Sequence, residues 1–313
     1  MHTSQKDSPV SAAIFMIAAM AIIGIIDNYI ARLADTIGLW QFHFLRGVMM
    51  LPLIVIMSRI GLGRLAPNRG WAVAVRSLAL AVGMLFYFSA LALMPIAQAL
   101  AGLFTSPIFI LLITTFVQKR RIGPWRIVAV GLGFIGILSV LQPNPQDFDA
   151  MVLLPVAGGF FYALGAIATR TLCEGESTVA LLGGMMLSLC LLGLIGLLVL
   201  AVVPLQSVPG PAGFVTRGWV WPMEDALPWV ILQAFGSVIA VFMLVKSYQL
   251  GDATYVSVFE YSVMIFGPVF AWIAFGQALG VWQIFGIGLI VFAGGIIAIR
   301  SGSEGVQLEA KPG

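Results

Sequence analysis

The sequence predicts an all-α integral membrane protein whose ten transmembrane helices form two inverted five-helix repeats, and three observations predict it. First, 60% of the 313 residues are hydrophobic and only 9% are charged, where a soluble domain carries roughly 25% to cover its surface. Second, the apolar residues fall in long runs without the period-2 alternation of barrel strands. Lipid tolerates apolar side chains but not unpaired backbone groups, so such runs are helices. Third, the charges between the runs alternate in sign from one side to the other.

With about 20 residues per crossing, the runs divide into spans 1 to 10 over residues 10–31, 39–57, 71–93, 96–117, 125–141, 151–170, 178–203, 227–245, 253–275 and 281–299. The thinnest joints are Met94-Pro95 between spans 3 and 4 and Gly276-Gln277 between spans 9 and 10. Met1 to Ser8 is polar, and the apolar run after it is too long for a signal-peptide core, so it reads as a retained first helix. Loops on one side hold Arg59, Arg64, Arg69, Lys119, Arg120, Arg121 and Lys246, with Arg170 and Arg300 at helix ends facing the same way. The other side holds Asp35, Asp147, Asp149, Glu224 and Asp225, with Arg217 its lone basic loop residue. The positive-inside rule then puts both termini in the cytoplasm of a cell that has a bacterial-type inner membrane. In the long outer loop, 204–226, Trp219 and Trp221 suit an interfacial anchor.

The two halves echo each other. Gly47-Val48-Met49-Met50-Leu51 resembles Gly183-Gly184-Met185-Met186-Leu187, Trp125 matches Trp282, Gly131 falls on Gly288, and Pro107 has a counterpart in Pro268. Five helices is an odd number, so the second half enters the membrane upside down. Inverted repeats of this kind recur in secondary transporters. The expected division is 1–145 for the first repeat, 146–300 for the second and 301–313 for a cytoplasmic tail. Pro107 and Pro268 are the expected kinks or hinges of spans 4 and 9.

A buried charge in a membrane costs at least a few kcal/mol, so each one asks for a reason. Asp27 in span 1, Arg46 in span 2 and Glu260 in span 9 lie inside apolar runs. Asp27 and Arg46 reach similar depths; they either pair structurally or bind cargo. Asn28 is adjacent, and His43 stands three residues before Arg46 on the same helix face. Glu260 enters roughly 10 Å deep, where the alternatives are to meet Arg46, to take up a proton, to bind a cationic group of the cargo or to lock a helix. Tyr87, Tyr162 and Tyr261 complete the candidate binding set, since a polar-tipped ring suits a cavity for a partly apolar metabolite.

Several classes are excluded. Basic residues in short membrane loops argue against nucleic acid. Cys173 and Cys190 lack metal or redox spacing and are not expected to pair. Gly131-x-Gly133-x-x-Gly136 spells a dinucleotide fingerprint but lies inside an apolar span, so it reads with Gly286, Gly288, Gly294 and Gly295 as helix packing or dimer formation. No metal cluster, nucleotide loop, cofactor site or nucleophile–base pair is visible. That absence argues against a membrane enzyme and against an ATP-driven pump unless a separate subunit supplies the ATPase, and a non-transporting scaffold is the other rival.

Two stretches carry a family resemblance: 87–143, opening YFSALALMPIAQALAGLFTSP, and 248–277, YQLGDATYVSVFEYSVMIFGPVFAWIAFGQ, joined by Phe44-Leu45-Arg46 in span 2. They resemble the drug/metabolite transporter superfamily in its EamA-type branch. The resemblance implies ten helices in two inverted units around a central cavity, and alternating access without ATP. The family commonly has Gly-Glu after helices 4 and 9, where this chain has Gln118 and Gln277. The expected cargo is a small metabolite such as an amino acid, with riboflavin- or S-adenosylmethionine-type cofactors the alternative. The expected partners are that cargo, the bilayer and a coupling proton, in a monomer or homodimer.

Overall fold

The computed structural model describes residues 9–117, 119, 124–142, 150–250 and 259–309. Among the described residues all regular structure is helical. In chain order the helices are α1 (Pro9–Asp27), α2 (Ile30–Thr36), α3 (Leu39–Arg59), α4 (Gly70–Leu93), α5 (Ile96–Leu103), α6 (Ser106–Leu112, running into a π-turn at Ile113–Val117), α7 (Pro124–Leu141), α8 (Leu153–Thr171), α9 (Thr178–Val202), α10 (Leu227–Leu250), α11 (Val263–Phe275) and α12 (Val281–Glu309). Among the described residues, seven stretches are long and apolar enough to cross a membrane, and three shorter apolar helices accompany them. Ile195, Leu198, Val199 and Val202 on α9 are exposed. Such a surface belongs in hydrocarbon rather than water.

The boundaries differ from the sequence expectation at four places. Span 1 is not one helix: it breaks at Asn28–Tyr29, where Tyr29 N–H donates to the Ile26 carbonyl at 3.1 Å in a tight turn. Asp and Asn are weak helix formers, and at the break the Ile26 carbonyl accepts the Gln233 amide. Span 4 breaks at Phe104–Thr105. The Thr105 hydroxyl donates to the Gly102 carbonyl at 2.7 Å, and Gly159 lies so close that a Cβ would meet the Gly102 and Leu103 carbonyls at 2.9 Å. Pro107 therefore does not kink a continuous helix; it sits in the first turn of α6, where its missing N–H leaves nothing unpaired. Pro268 does lie inside its helix. In span 9, residues 251–258 are outside the described residues, and a turn at Tyr261–Ser262 precedes α11. Helix α12 runs past the expected end of span 10, through the tail segment, to Glu309.

The chain divides into two compact units, each drawing on both halves of the sequence. One comprises Met1–Ile25, Leu111–Pro143 and Ile239–Gly313. Inside it α7 and α12 meet at glycines: a Cβ on Gly136 would lie 2.8 Å from the Gly286 carbonyl, and one on Gly286 would lie 2.5 Å from the Gly136 carbonyl. The expected glycine packing of spans 5 and 10 is thus met by Gly136 and Gly286, while Gly131 and Gly288 face open space. The other unit comprises Ile26–Ile110 and Asn144–Val238. There α4 crosses α8 at Gly83 and Gly158, each of whose carbonyls would lie about 3 Å from a Cβ on the other. Helix α3 lies on α9 with Gly47 against Cys190 and Gly193 against the Trp40 carbonyl. Cys173 and Cys190 are both free thiols.

Candidate functional site

The second unit holds a buried polar cluster built from α1, α3, α4 and α10. Asp27 is the last residue of α1, and its carboxylate accepts the Tyr87 hydroxyl from α4 at 2.9 Å. It also accepts the Gln233 amide at 3.2 Å. The same amide donates to the Ile26 carbonyl at 2.7 Å, so Gln233 of α10 holds the helix break and the carboxylate together. One turn along α10, the Ser237 hydroxyl donates to Gln233 Oε1 at 3.5 Å. Ser237 in turn accepts Nη2 of Arg46 at 3.0 Å. The two opposite charges are therefore linked through an amide and a hydroxyl, not by the direct ion pair that their similar depth allows.

Arg46 lies on α3 with its guanidinium carbon 5.0 Å from the centre of the Phe88 ring and 5.6 Å from that of Phe42. Such contacts favour a cation electrostatically where water is excluded. His43, one turn before it, packs edge-on against Phe88 at 5.0 Å between centroids. Both side chains are buried. Among the described residues, Arg46 Nε and Nη1 and both ring nitrogens of His43 have no hydrogen-bond partner. A buried polar group left unmade costs about 1–3 kcal/mol, so this face is held at a cost.

The unit has two further polar anchors. The segment 204–226 is fixed to the start of α3: the Leu39 N–H donates to the Phe214 carbonyl at 2.7 Å, and Trp40 Nε1 donates to the Val215 carbonyl at 2.8 Å. Gln41 both donates to the Val220 carbonyl and accepts its N–H, each at 2.9 Å. Arg217 Nη1 donates to the Ala34 carbonyl at 2.5 Å and the Ile37 carbonyl at 3.1 Å, and Nη2 donates to Gly210 at 2.7 Å and Val208 at 3.4 Å. Burial holds the Arg217 guanidinium below its ordinary pKa, opposed by the charge of Asp35. At the other end of α4, the Glu176 carboxylate accepts the N–H groups of Asn68 and Arg69 at 2.8 and 2.6 Å. That contact satisfies orphan donors at the N-terminus of α4.

Of the eight expected binding residues, Asp27, Asn28, His43, Arg46 and Tyr87 are buried in this unit. Tyr162, half-buried on α8, has its backbone nitrogen at the Gly83 crossing. Glu260 and Tyr261 belong to the other unit, where the Tyr261 ring packs onto Gly294. Gln233, Ser237 and Phe42 were not expected, and Phe88 lies outside the expected binding set. The first two carried a signal, since polar residues four apart share one face of an otherwise apolar helix. Arg76 was also missed inside a span; it donates to the Thr169 hydroxyl at 2.9 Å and the Leu181 carbonyl at 3.0 Å.

A helical, multi-pass membrane chain with ionic side chains linked inside its spans is of the class that moves solutes across a bilayer. The EamA-like transporter family model matches residues 10–142 and 150–299, and the chain belongs to that family. It is a membrane transporter and not an enzyme. A riboflavin transporter of Rhizobium johnstonii is 27% identical over 256 residues, covering 81% of this chain and 77% of the relative. An S-adenosylmethionine uptake transporter of Rickettsia bellii is 24% identical over 241 residues, covering 77% of this chain and 75% of the relative. One solved crystal structure shares the fold with a TM-score of 0.62 at 17% identity, covering 94% of this chain and 99% of that one.

Proposed function

We propose that the protein carries a ring-bearing organic cofactor or vitamin across an inner membrane by alternating access, driven by a gradient and not by ATP. The observation that carries this reading is Arg46: a buried cation with two nitrogens unpartnered among the described residues, packed against two neighbouring phenyl rings. A purely structural arginine has no need of open donors. The relatives above are named for riboflavin and S-adenosylmethionine, which favours the cofactor alternative over the amino-acid cargo first expected.

Ten spans in two inverted five-helix repeats, 1–145 and 146–300, supply the machine in this reading. The family match in two stretches, and seven long plus three shorter apolar helices, support it. Both termini lie in the cytoplasm by loop charge. Asp27, Asn28, His43, Arg46 and Tyr87 line the cargo path in this reading, and Tyr162, Glu260 and Tyr261 are further candidate binding residues. Pro107, just after the break in span 4, and Pro268, inside the helix of span 9, are the hinges in this reading.

The test is counterflow in liposomes, with purified protein and trapped unlabelled cargo. Riboflavin, S-adenosylmethionine and labelled amino acids are each offered outside, beside Arg46→Ala and Glu260→Gln variants. Exchange of riboflavin or S-adenosylmethionine, lost in Arg46→Ala, is the expected outcome. Exchange of amino acids alone would overturn the cofactor reading. An imposed pH gradient in the same vesicles reads proton coupling, and an unchanged rate argues against it.

A further inference from the structure

The open hydrogen-bonding groups in the cluster have a definite pattern. His43 and Arg46 stand three residues apart on α3 and so share a face. His43 is 1% exposed and Arg46 is 7% exposed. A guanidinium can only donate, whereas a neutral imidazole offers one N–H and one lone pair. The unpartnered Nε and Nη1 of Arg46 with the two nitrogens of His43 therefore present several donors and a single acceptor. Phe42 and Phe88, packed on both residues, provide flat apolar walls beside them. The complementary ligand edge is two carbonyls flanking one ring N–H, on a planar heterocycle.

The charge balance narrows the class again. Asp27 and Arg46 cancel formally, linked through Gln233 and Ser237. An uncharged ring leaves that balance intact. A sulfonium or ammonium cargo adds a positive charge next to the guanidinium, in surroundings where charge is costly.

We infer that the His43–Arg46 face reads the carbonyl–NH–carbonyl edge of an uncharged flat heterocycle, the edge that the pyrimidinedione ring of riboflavin presents. The inference rests on the cofactor reading above and chooses the flavin-like cargo over the sulfonium one. Two of the chain's own side chains then divide the recognition. Arg46 donates to a ring carbonyl, and a neutral His43 accepts from the ring N–H.

The experiment is competition for riboflavin counterflow by the full-length protein in liposomes. The competitors are riboflavin, 3-methylriboflavin (whose ring N–H is blocked) and S-adenosylmethionine. Riboflavin competes, the methylated analogue is weaker by at least about tenfold because a site built for a hydrogen bond rejects a ligand lacking it, and S-adenosylmethionine does not compete. In His43→Leu the ratio of riboflavin to 3-methylriboflavin potency collapses toward one. This ratio is independent of how much of the variant folds. Equal competition by the two flavins, or a ratio unchanged in both His43→Leu and Arg46→Lys, would overturn the edge assignment while leaving the cofactor reading standing. Exchange of S-adenosylmethionine without riboflavin does the same. If neither cofactor is exchanged, the cofactor reading fails and the edge assignment fails with it.

Discussion

Arg46 and Arg217 are almost equally buried, at 7% and 9% exposure, yet they are furnished in opposite ways. Arg217 sits under the 204–226 segment with four backbone carbonyls around its two terminal nitrogens. Arg46 has one hydroxyl and two phenyl faces, with Nε and Nη1 left over. The first is a bolt that ties a loop to the end of α2. The second retains unused capacity next to a counter-charge it does not touch. Burial alone therefore does not separate the two cations; saturation of their donors does.

That comparison can be broken directly. Arg46→Gln is expected to lower cargo exchange by roughly two orders of magnitude, since hydrogen bonds to a charged group contribute about 1.5–3 kcal/mol each. Its unfolding free energy in detergent changes little. Arg217→Ala gives the reverse: a stability loss on the order of 3 kcal/mol from stranding several carbonyls, with exchange per folded molecule unchanged. Thermal melts and counterflow on the same samples read both effects, and a pair of variants that lose both together would erase the distinction. Gln233→Leu sharpens it by cutting the link between Asp27 and Arg46 without removing either charge. Exchange then falls about tenfold, the equivalent of one charged hydrogen bond. Arg76→Lys is the smallest: its guanidinium serves one hydroxyl and one carbonyl, so the loss is about 1 kcal/mol of stability with normal exchange.

Helix type, span order and the buried charges of spans 1 and 2 were legible in the sequence because lipid imposes a crude rule: apolar runs cross, and ions inside need partners. The break at Asn28–Tyr29 was less legible, since it carries neither proline nor glycine. Pro107 misled for the opposite reason. Proline signals a discontinuity, but it is tolerated where a helix begins, and the interruption lies just before it at Phe104–Thr105. The partners of Arg46 were hidden by distance. Ser237 lies 191 residues away, and no local pattern tells a polar residue on one span which polar residue on another it will meet. The i, i+4 spacing of Gln233 and Ser237 was the available hint, and it pointed to a face without naming its neighbour.

The crossing of α4 and α8 at Gly83 and Gly158 has a consequence for biosynthesis. These glycines come from opposite halves of the chain, as do Gly47 and Cys190, and the unit that holds the site extends to Val238. While the ribosome is still making the first half, α2 to α5 wait in the bilayer without the surfaces they are shaped to meet. The carrier therefore assembles late, and the polar faces of α3 and α4 are shielded only once their partners arrive. A gene cut between residues 142 and 150 should yield two fragments that are each unstable alone and that rebuild the site when expressed together.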